Sequence, residues 1–418
     1  MFPAFSTALS ALNAESSAID VTGNNLANLN TTGFKSSQVE FSDLMSQSLG
    51  VGQSSDQIGL GVGPIQSEAI YSQGSITNTN APLNAAIQGN GFFVVNDPST
   101  NQQLYTRDGN FQLSETGQLE TSNGQLVQGW TAVNGTVNTN GAVSSIILPM
   151  GATIPAKPTS TMSVDVNLNA QATTGSTSGT FSAPIQVYDS LGASHTLTVT
   201  FTQTASNAWS YSVTIPAADV KGSGTPSPLA TGTLTFNSSG ILTSPAAGAP
   251  VSVKMTGLAD GAADQTISWN LFDTNGNSLL TQFAQASSLA STQQDGNAPG
   301  QITSVALQNG GAIVATYSNG QQSTIGQVAV ASIANPQTLI NVGNNNLQAS
   351  ALTAPAAIGT ANTGGRGQIM GGALEASTSD MATEFTNLLS YERSYQAAAR
   401  VITTSDQLLQ ETVNLIHG

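Results

Sequence analysis

Apolar side chains along this chain follow two different periods. In the first thirty residues Phe5, Leu12, Ile19 and Leu26 recur at intervals of seven, with Ala8, Leu9, Ala18 and Leu29 beside them. At the other end Leu374, Met381, Leu388, Tyr395, Ile402, Leu409 and Ile416 keep the same interval, flanked by Phe385, Leu389, Tyr391, Ala398 and Val413. A recurrence of seven puts such side chains on one helix face and favours coiled-coil packing. The spacing predicts a helix near each terminus, the second running from about Glu375 to Ile416 and roughly 60 Å long at the usual rise. Each stripe needs a partner, and within the chain each is the obvious partner of the other. Two helices cannot also cover Phe385, Leu389 and Tyr391, so further copies of the same helices are implied. Head-to-tail contact between copies would build an open helical polymer, whereas a hairpin closing one globular fold is the plainer alternative.

Between the ends the period falls to two. In "HTLTVTFTQT" Leu197, Val199 and Phe201 alternate with threonines, and in "WSYSVTI" Trp209, Tyr211, Val213 and Ile215 alternate with polar residues. These read as half-buried antiparallel strands. "SVDVNLN", "GTLTF", "PVSVKM" and "QTISWNLF" repeat the pattern, and the dipeptide Asn-Gly occurs seven times, at Asn90, Asn123, Asn134, Asn140, Asn275, Asn309 and Asn319. Tight hairpin turns are expected there.

If the termini pair, whatever lies between must leave the helices and return to them. The expected fold is therefore mixed, with paired long terminal α-helices, coiled-coil-like, carrying nested, discontinuous all-β domains. Residues 1–30 with 373–418 form the helical domain on this reading, and 31–71 with 349–372, rich in Gly, Ser, Asn and Gln, an extended linker layer. Residues 72–150 with 296–348 form an inner β domain. The joints "PAKPTSTM" and "STQQDGNAPGQ" bracket an inserted outer β domain, residues 151–295.

Composition narrows the functions available. Only 7% of the 418 residues are charged, against roughly a quarter in ordinary soluble proteins, and the 23 acidic and 8 basic residues leave a net charge of -15. Nucleic acid and anionic membrane surfaces would repel such a chain. With no cysteine there are no disulfides or thiolate sites. The first positive charge is Lys35, which argues against a cleaved signal peptide, and no apolar run reaches the ~20 residues that span a bilayer. The two histidines, His195 and His417, assemble no triad or metal cluster on sequence grounds, and each reads as structural or superficial. "GLGVGP" and "QGNGFF" lack the third glycine and following helix of a dinucleotide loop and read as turns. Asp260 and Asp264, the closest carboxylate pair of the outer block, sit in the loop-like "LADGAADQT". No catalytic, cofactor-binding or metal residue is expected.

One polar seam stands out. "DVTGNNLANLNTTGFKSS", Asp20 to Ser37, follows the first helical stripe with almost no charge. Gly23, Asn24, Asn25, Asn28 and Gly33 are expected to end or loosen the helix and to supply amide hydrogen bonds, with Phe34 anchoring the chain as it turns away. The segment "SALNAESSAIDVTGNNLANLNTTGFKSS" resembles the N-terminal signature of rod and hook proteins, the axial proteins of the bacterial flagellum. "AIQGNGFFVVND" and "YTRDGNFQLSETGQLETSNGQLVQGW" resemble their inner-domain core, and "GALEASTSDMATEFTNLLSYERSYQAAARVITTSDQLLQETVNLI" their C-terminal helix. The return segment "DGNAPGQITSVALQNGGAIVATYSNGQQSTIGQVAVASIANPQTL" and the large inserted block resemble hook proteins in particular.

The resemblance implies a non-enzymatic subunit that polymerises helically into a curved, flexible tube, a universal joint passing torque from rod to filament. It implies a flagellar, extracellular location, reached without cleavage through the flagellar type III export apparatus. Its partners would be other copies of itself, the distal rod protein, the hook-cap scaffold and the hook-filament junction protein. The helical stripes would be the polymer interface and line the inner tube. A distal rod protein would share the three general motifs but lack the inserted block. A secreted carbohydrate-active or adhesive β protein would explain the strands but not the helical ends.

Overall fold

The computed structural model describes residues 3–44, 47–48, 57–133, 135–149, 151, 153–222 and 227–417. It is mostly β, with one long helix towards each end: α1, Pro3–Ala27, and α2, Met381–His417. The chain divides into two compact units, one of Met1–Met150, Ser304–Ala315 and Gln322–Gly418, the other of Gly151–Thr303 and Thr316–Gln321.

In the first unit α1 and α2 lie side by side and antiparallel. Asn25 Nδ2 donates to Glu384 Oε1 at 3.1 Å near one end of α1, while Ala4, Ala8 and Ala11 line a cavity with Ala398 and Val401 near the other. The most buried positions of α1 are small or polar, Ala8, Ala14, Ala18, Thr22 and Asn25. Small side chains let two helix backbones approach closely, so this face, and not the larger stripe beside it, sits deepest.

The start of α2 corrects the sequence reading. Leu374, expected on the helix, lies in the strand Ala373–Glu375, which pairs antiparallel with Ile76–Asn78. The helix begins at Met381 because Asp380 supplies its cap: Asp380 Oδ1 accepts from Thr383 N at 2.9 Å, and its carbonyl accepts from Glu384 N at 2.9 Å. Just upstream, Gln368–Gly371 pairs with Ala85–Gln88. Outgoing and returning chain are thus stitched strand to strand at the root of the helices.

Above that root, Leu126–Val133 pairs antiparallel with Phe92–Asp97 and with Gln322–Val328. Phe92–Asp97 also pairs with Gln102–Thr106 and with Val330–Ser332. Phe92, Phe93, Val94 and Val95 are all buried, so this strand is covered on both faces. Val330–Ser332 carries a further strand, Ala357–Gly359, so the returning segment runs as sheet edge here. Phe92, Val94, Tyr105, Trp130, Ala329, Ala331 and Ile333 form the core, and Trp130 Nε1 donates to the Gly141 carbonyl at 2.8 Å.

The second unit packs two sheets over one core. One is an antiparallel meander of Thr180–Tyr188, Ser194–Ala205, Ala208–Ile215, Ser227–Phe236 and Leu242–Ser244. The other orders Val251–Met255, Gln265–Asn270, Thr161–Asn169 and Leu280–Phe283, with Ser288–Gln294 also on Thr161–Asn169. The period-two segments become these strands, and inward residues such as Val164, Val166 and Leu168 meet Leu197, Val199 and Phe201 in one cluster. One expectation holds only in part: Thr161–Asn169 is antiparallel to Ser288–Gln294 but runs parallel to both Gln265–Asn270 and Leu280–Phe283. Alternation reports which face is buried and is silent on direction, and the long excursion through the meander provides the crossover that parallel pairing needs. The Asn-Gly turn at Asn319 is observed, with Gly320 at φ +79° and its N–H donating to the Tyr317 carbonyl at 2.9 Å. Asn134 lies outside the described residues.

Trp269 is fully buried in this core, its ring 5.2 Å from that of Tyr211 and 6.2 Å from that of Phe201, both edge-on. Trp269→Ala should lower stability by about 3–5 kcal/mol. Urea unfolding followed by near-ultraviolet circular dichroism checks this, and helical ellipticity from α1 and α2 should survive to wild-type urea concentrations.

Candidate functional site

The predicted interface residues fall into three groups. On α1, Phe5, Leu12, Ile19 and Leu26 are half-buried beside the small-residue face. On α2, Leu388, Tyr395 and Ile402 are half-buried towards α1, whereas Met381 and Leu409 are exposed. Leu374 belongs to the strand pair at the root, and the side chain of Ile416 lies outside the described residues. Phe385, Leu389, Val401, Leu408 and Val413 are also exposed, Leu408 at 58%. With 37 residues against the 25 of α1, α2 runs on past its partner. Leu409 and Val413 continue the α1-facing stripe past the partner helix, and Phe385, Leu389 and Leu408 lie off it, so apolar surface of α2 stays open in the single chain.

The seam residues hold the base of this helix pair. Gly23, Asn24 and Asn25 remain inside α1, and the helix ends at Ala27, after which Asn28 N donates to the Asn24 and Asn25 carbonyls at 3.2 Å each. Asn25 is buried and fully engaged: Nδ2 donates to the Ser37 carbonyl at 2.8 Å and to Glu384, and Oδ1 accepts from Ser37 N at 3.0 Å. Burial pushes the Glu384 carboxyl up, against the opposing effect of the Asn25 bond and with support from the nearby charge of Asp380. Gly33 has φ +68°, and a Cβ there would lie 2.6 Å from the Arg107 carbonyl carbon and oxygen. Only glycine fits that approach. Phe34 is buried next to it, its carbonyl accepting from Thr378 N at 3.1 Å.

Beneath the seam lies a cluster that the sequence reading missed. Glu375, with no exposed surface, accepts from Lys35 Nζ at 2.6 Å on Oε1 and from Arg107 Nη1 at 3.0 Å on Oε2. Gly74 N adds a bond to Oε1 at 2.8 Å. Lys35 Nζ also donates to the Ser72 carbonyl at 2.6 Å, and Arg107 donates to the Ile87 carbonyl at 3.2 Å and the Gly89 carbonyl at 2.7 Å while lying 5.4 Å from the Phe92 ring centroid. Burial lowers the proton affinity of both cations, and Glu375 opposes that shift in each. One signal was available: only eight residues in the chain are basic, and two of them sit in this cluster.

The second unit holds another ionisable group. His195 Nε2 is 3.1 Å from Asp189 Oδ2 and 3.8 Å from Asp260 Oδ2, and Nδ1 is 3.1 Å from Asp219 Oδ2. The nearest nitrogen and carboxylate oxygens of Asp189, His195 and Asp260 all lie within 4.8 Å of one another. The sequence paired Asp260 with Asp264, whereas the fold turns it towards His195, and Asp264 instead accepts from Gly257 N at 2.9 Å. The side chain of His417 lies outside the described residues.

Comparison with known proteins interprets the first unit. The family description "Flagella basal body rod protein" matches residues 5–35 and "Flagellar basal body rod FlgEFG protein C-terminal" matches 370–415, the two helices with their seam and root. "Flagellar hook protein FlgE/F/G D1 domain" matches 86–183 and "Flagellar basal body protein FlaE D2 domain" matches 155–297. The flagellar hook protein FlgE of Salmonella typhimurium is 35% identical over 98% of this chain and 99% of its own length. This chain belongs to the flagellar hook protein family. The hook protein FlgE of Escherichia coli is 33% identical over 99% of this chain and all of its own, and that of Treponema pallidum 32% over 95% and 96%. A solved structure, the Helicobacter pylori flagellar hook protein FlgE2, superposes with a TM-score of 0.49 at 14% identity over 65% of this chain and 93% of that one. Membership makes this a structural, motility-related protein of the bacterial flagellum. Among the described residues no helix of this hook protein is long and apolar enough to cross a membrane.

The Glu375 cluster supplies a direct test of how the helices are held. Glu375→Gln keeps the side-chain shape but leaves two buried cations uncompensated, and should cost about 3–5 kcal/mol. Because the group is buried, the loss should change little between low and high salt. Chemical denaturation at two ionic strengths measures both outcomes.

Proposed function

We propose that this chain is a non-enzymatic structural subunit of the flagellar hook, stacking helically into a curved, flexible tube that transmits torque from rod to filament. The observation that carries the assembly reading is the apolar surface of α2 that α1 leaves uncovered. Phe385, Leu389 and Leu408 are exposed off the stripe that meets α1, and Leu409 and Val413 are exposed where that stripe runs past its partner. Water makes such surface costly, and burial between copies removes it. Phe5, Leu12, Ile19, Leu26, Met381, Leu388, Tyr395, Ile402 and Ile416 belong to the same interface, packed coiled-coil-like against neighbouring helices. Leu374 is left out, since it serves the strand root.

On this reading the chain is layered. Residues 1–30 with 373–418 form the inner tube, 31–71 with 349–372 a connecting layer, 72–150 with 296–348 the inner β domain, and 151–295 the outer one. The seam Gly23, Asn24, Asn25, Asn28, Gly33 and Phe34 fixes how the chain leaves the tube. With a net charge of -15 per copy, assembly rests on apolar helices and neutral polar contacts rather than ion pairing. The partners are other copies, the distal rod protein below, the hook-filament junction protein above and the hook-cap scaffold during growth. The chain reaches the cell exterior uncleaved through the flagellar type III export apparatus.

The double variant Leu408→Asp, Leu409→Asp tests the interface with residues that touch nothing critical in the single chain. Each buried unpaired carboxylate should cost several kcal/mol in the polymer and almost nothing in the monomer. Negative-stain microscopy and sedimentation should find folded monomer and no tubes; tubes formed as readily as by the parent chain would overturn the assignment.

A further inference from the structure

The His195 group in the second unit has no part in the assembly reading. His195 is the second residue of the strand Ser194–Ala205 and is buried. Three carboxylates face it from three separate segments. Asp189 comes from the tight turn before the strand, where its Oδ1 accepts from Leu191 N at 2.8 Å and Ala193 N at 2.9 Å. Asp219 ends the short 3-10 helix Ala217–Asp219, and Asp260 sits in the loop after Val251–Met255, its Oδ1 accepting from Ala262 N at 3.0 Å. The 3-10 helix and that loop also meet through the backbone, Ala259 N donating to the Asp219 carbonyl at 2.9 Å. Among the described residues His195 has no other ion-pair partner, and each of these three is acidic.

This arrangement asks for a positive charge on the ring. A neutral imidazole carries a single N–H, and a carboxylate oxygen lies 3.1 Å from each ring nitrogen, in hydrogen-bonding position at Nε2 and as a charge contact alone at Nδ1, so one lone pair would face an anion. The imidazolium presents an N–H on both sides and removes that repulsion. We propose that His195 is a proton-operated latch: as imidazolium it ties the Asp189 turn, the Asp219 helix and the Asp260 loop together at one end of the second unit, and on losing its proton it lets the latter two loosen.

The electrostatics agree in sign. Burial alone would lower the proton affinity of His195, but Asp189 and Asp219 outweigh it and raise the pKa above the ordinary value. A raised folded-state pKa means the stabilisation is complete below the unfolded value of about 6.5 and is lost as pH rises through the folded value. Burial works to raise the Asp189 carboxyl, yet Asp260, His195 and the Ala193 and Leu191 N–H groups hold it down at about 2. Its contribution is therefore present above about 3.9 and lost only as pH falls towards the folded value. The latch is tightest between about pH 4 and 6.5 and weakens as pH rises through the folded His195 value.

The chain has two histidines, so a proton-detected titration of the ring resonances is simple to read, with His417→Gln identifying the His195 signal. The measurement is made on monomeric full-length chain and does not depend on whether tubes form. His195 should titrate above 6.5, and Asp219→Asn and Asp260→Asn should each lower that value, the former on the order of one pH unit. Amide exchange at Ala259 and Ala262, corrected for intrinsic rate, should accelerate above the His195 pKa in the parent chain and be fast throughout in the Asp219→Asn variant. A His195 pKa at or below 6.5, or one unmoved by both variants, would overturn the latch. So would saturable one-to-one binding of Zn²⁺ at neutral pH that broadens the His195 signal and is lost in Asp260→Asn, since a metal ion would then supply the charge in place of the proton.

Discussion

Everything at the root of this molecule depends on one carboxylate. Glu375 has no exposed surface and takes a Lys35 ammonium on one oxygen and an Arg107 guanidinium on the other. Taking three charges out of water is expensive, and their attraction offsets that cost only when the geometry is tight and the remaining donors are satisfied. Here surplus N–H groups go to the Ser72, Ile87 and Gly89 carbonyls, while Arg107 Nε is buried without a partner. The cluster ties together the segment leaving α1, the β core and the strand that leads into α2. An apolar contact would hold these segments with equal strength but would accept many orientations. Fixed hydrogen-bond directions accept few, which suits a joint that must aim two long helices.

The helices themselves divide their faces between two tasks. Small and amide side chains, from Ala8 to Asn25, face α2 within the chain, and Asn25 locks the end of that contact. Larger apolar groups of α2, among them Phe385, Leu389 and Leu408, stay exposed beside that contact, and Leu409 and Val413 beyond it. A small-residue face packs closely but buries little area, so the pair is held in register chiefly by its root. The membership of the hook family gives that uncovered surface a purpose that a monomeric protein could not.

Much of the fold was legible because burial leaves a period in the sequence. Alternation in "HTLTVTFTQT" and "WSYSVTI" marks strands with inward Leu197, Phe201 and Trp209, and sevenfold recurrence marks the two helices. Where the period carried no information the reading failed. It ran the second helix back to about Glu375 and put Leu374 at the head of its stripe, because an apolar residue in phase cannot reveal that Asp380 caps the helix six residues later. It took Thr161–Asn169 as antiparallel, because direction is a property of the crossover and not of the strand. The charged clusters were illegible for a different reason. Lys35 and Glu375 stand 340 positions apart, and His195 meets Asp219 and Asp260 only after a sheet has been folded between them. No spacing rule reaches that far.

That separation has a kinetic side. The strand Ala373–Glu375 closes against Ile76–Asn78, and its last residue bonds a lysine near the opposite end of the chain. Contacts so remote in sequence form late, after nearer ones have shortened the loop that must be closed. The β segments between can collapse locally as the chain emerges amino end first, but the root cannot close until its final residues arrive. Until then Lys35 and Arg107 have no counter-ion and no reason to leave water. A chain that stopped short of Glu375 would carry folded sheets and an unlatched base, so the arrival of that strand is itself the signal that permits the joint to set.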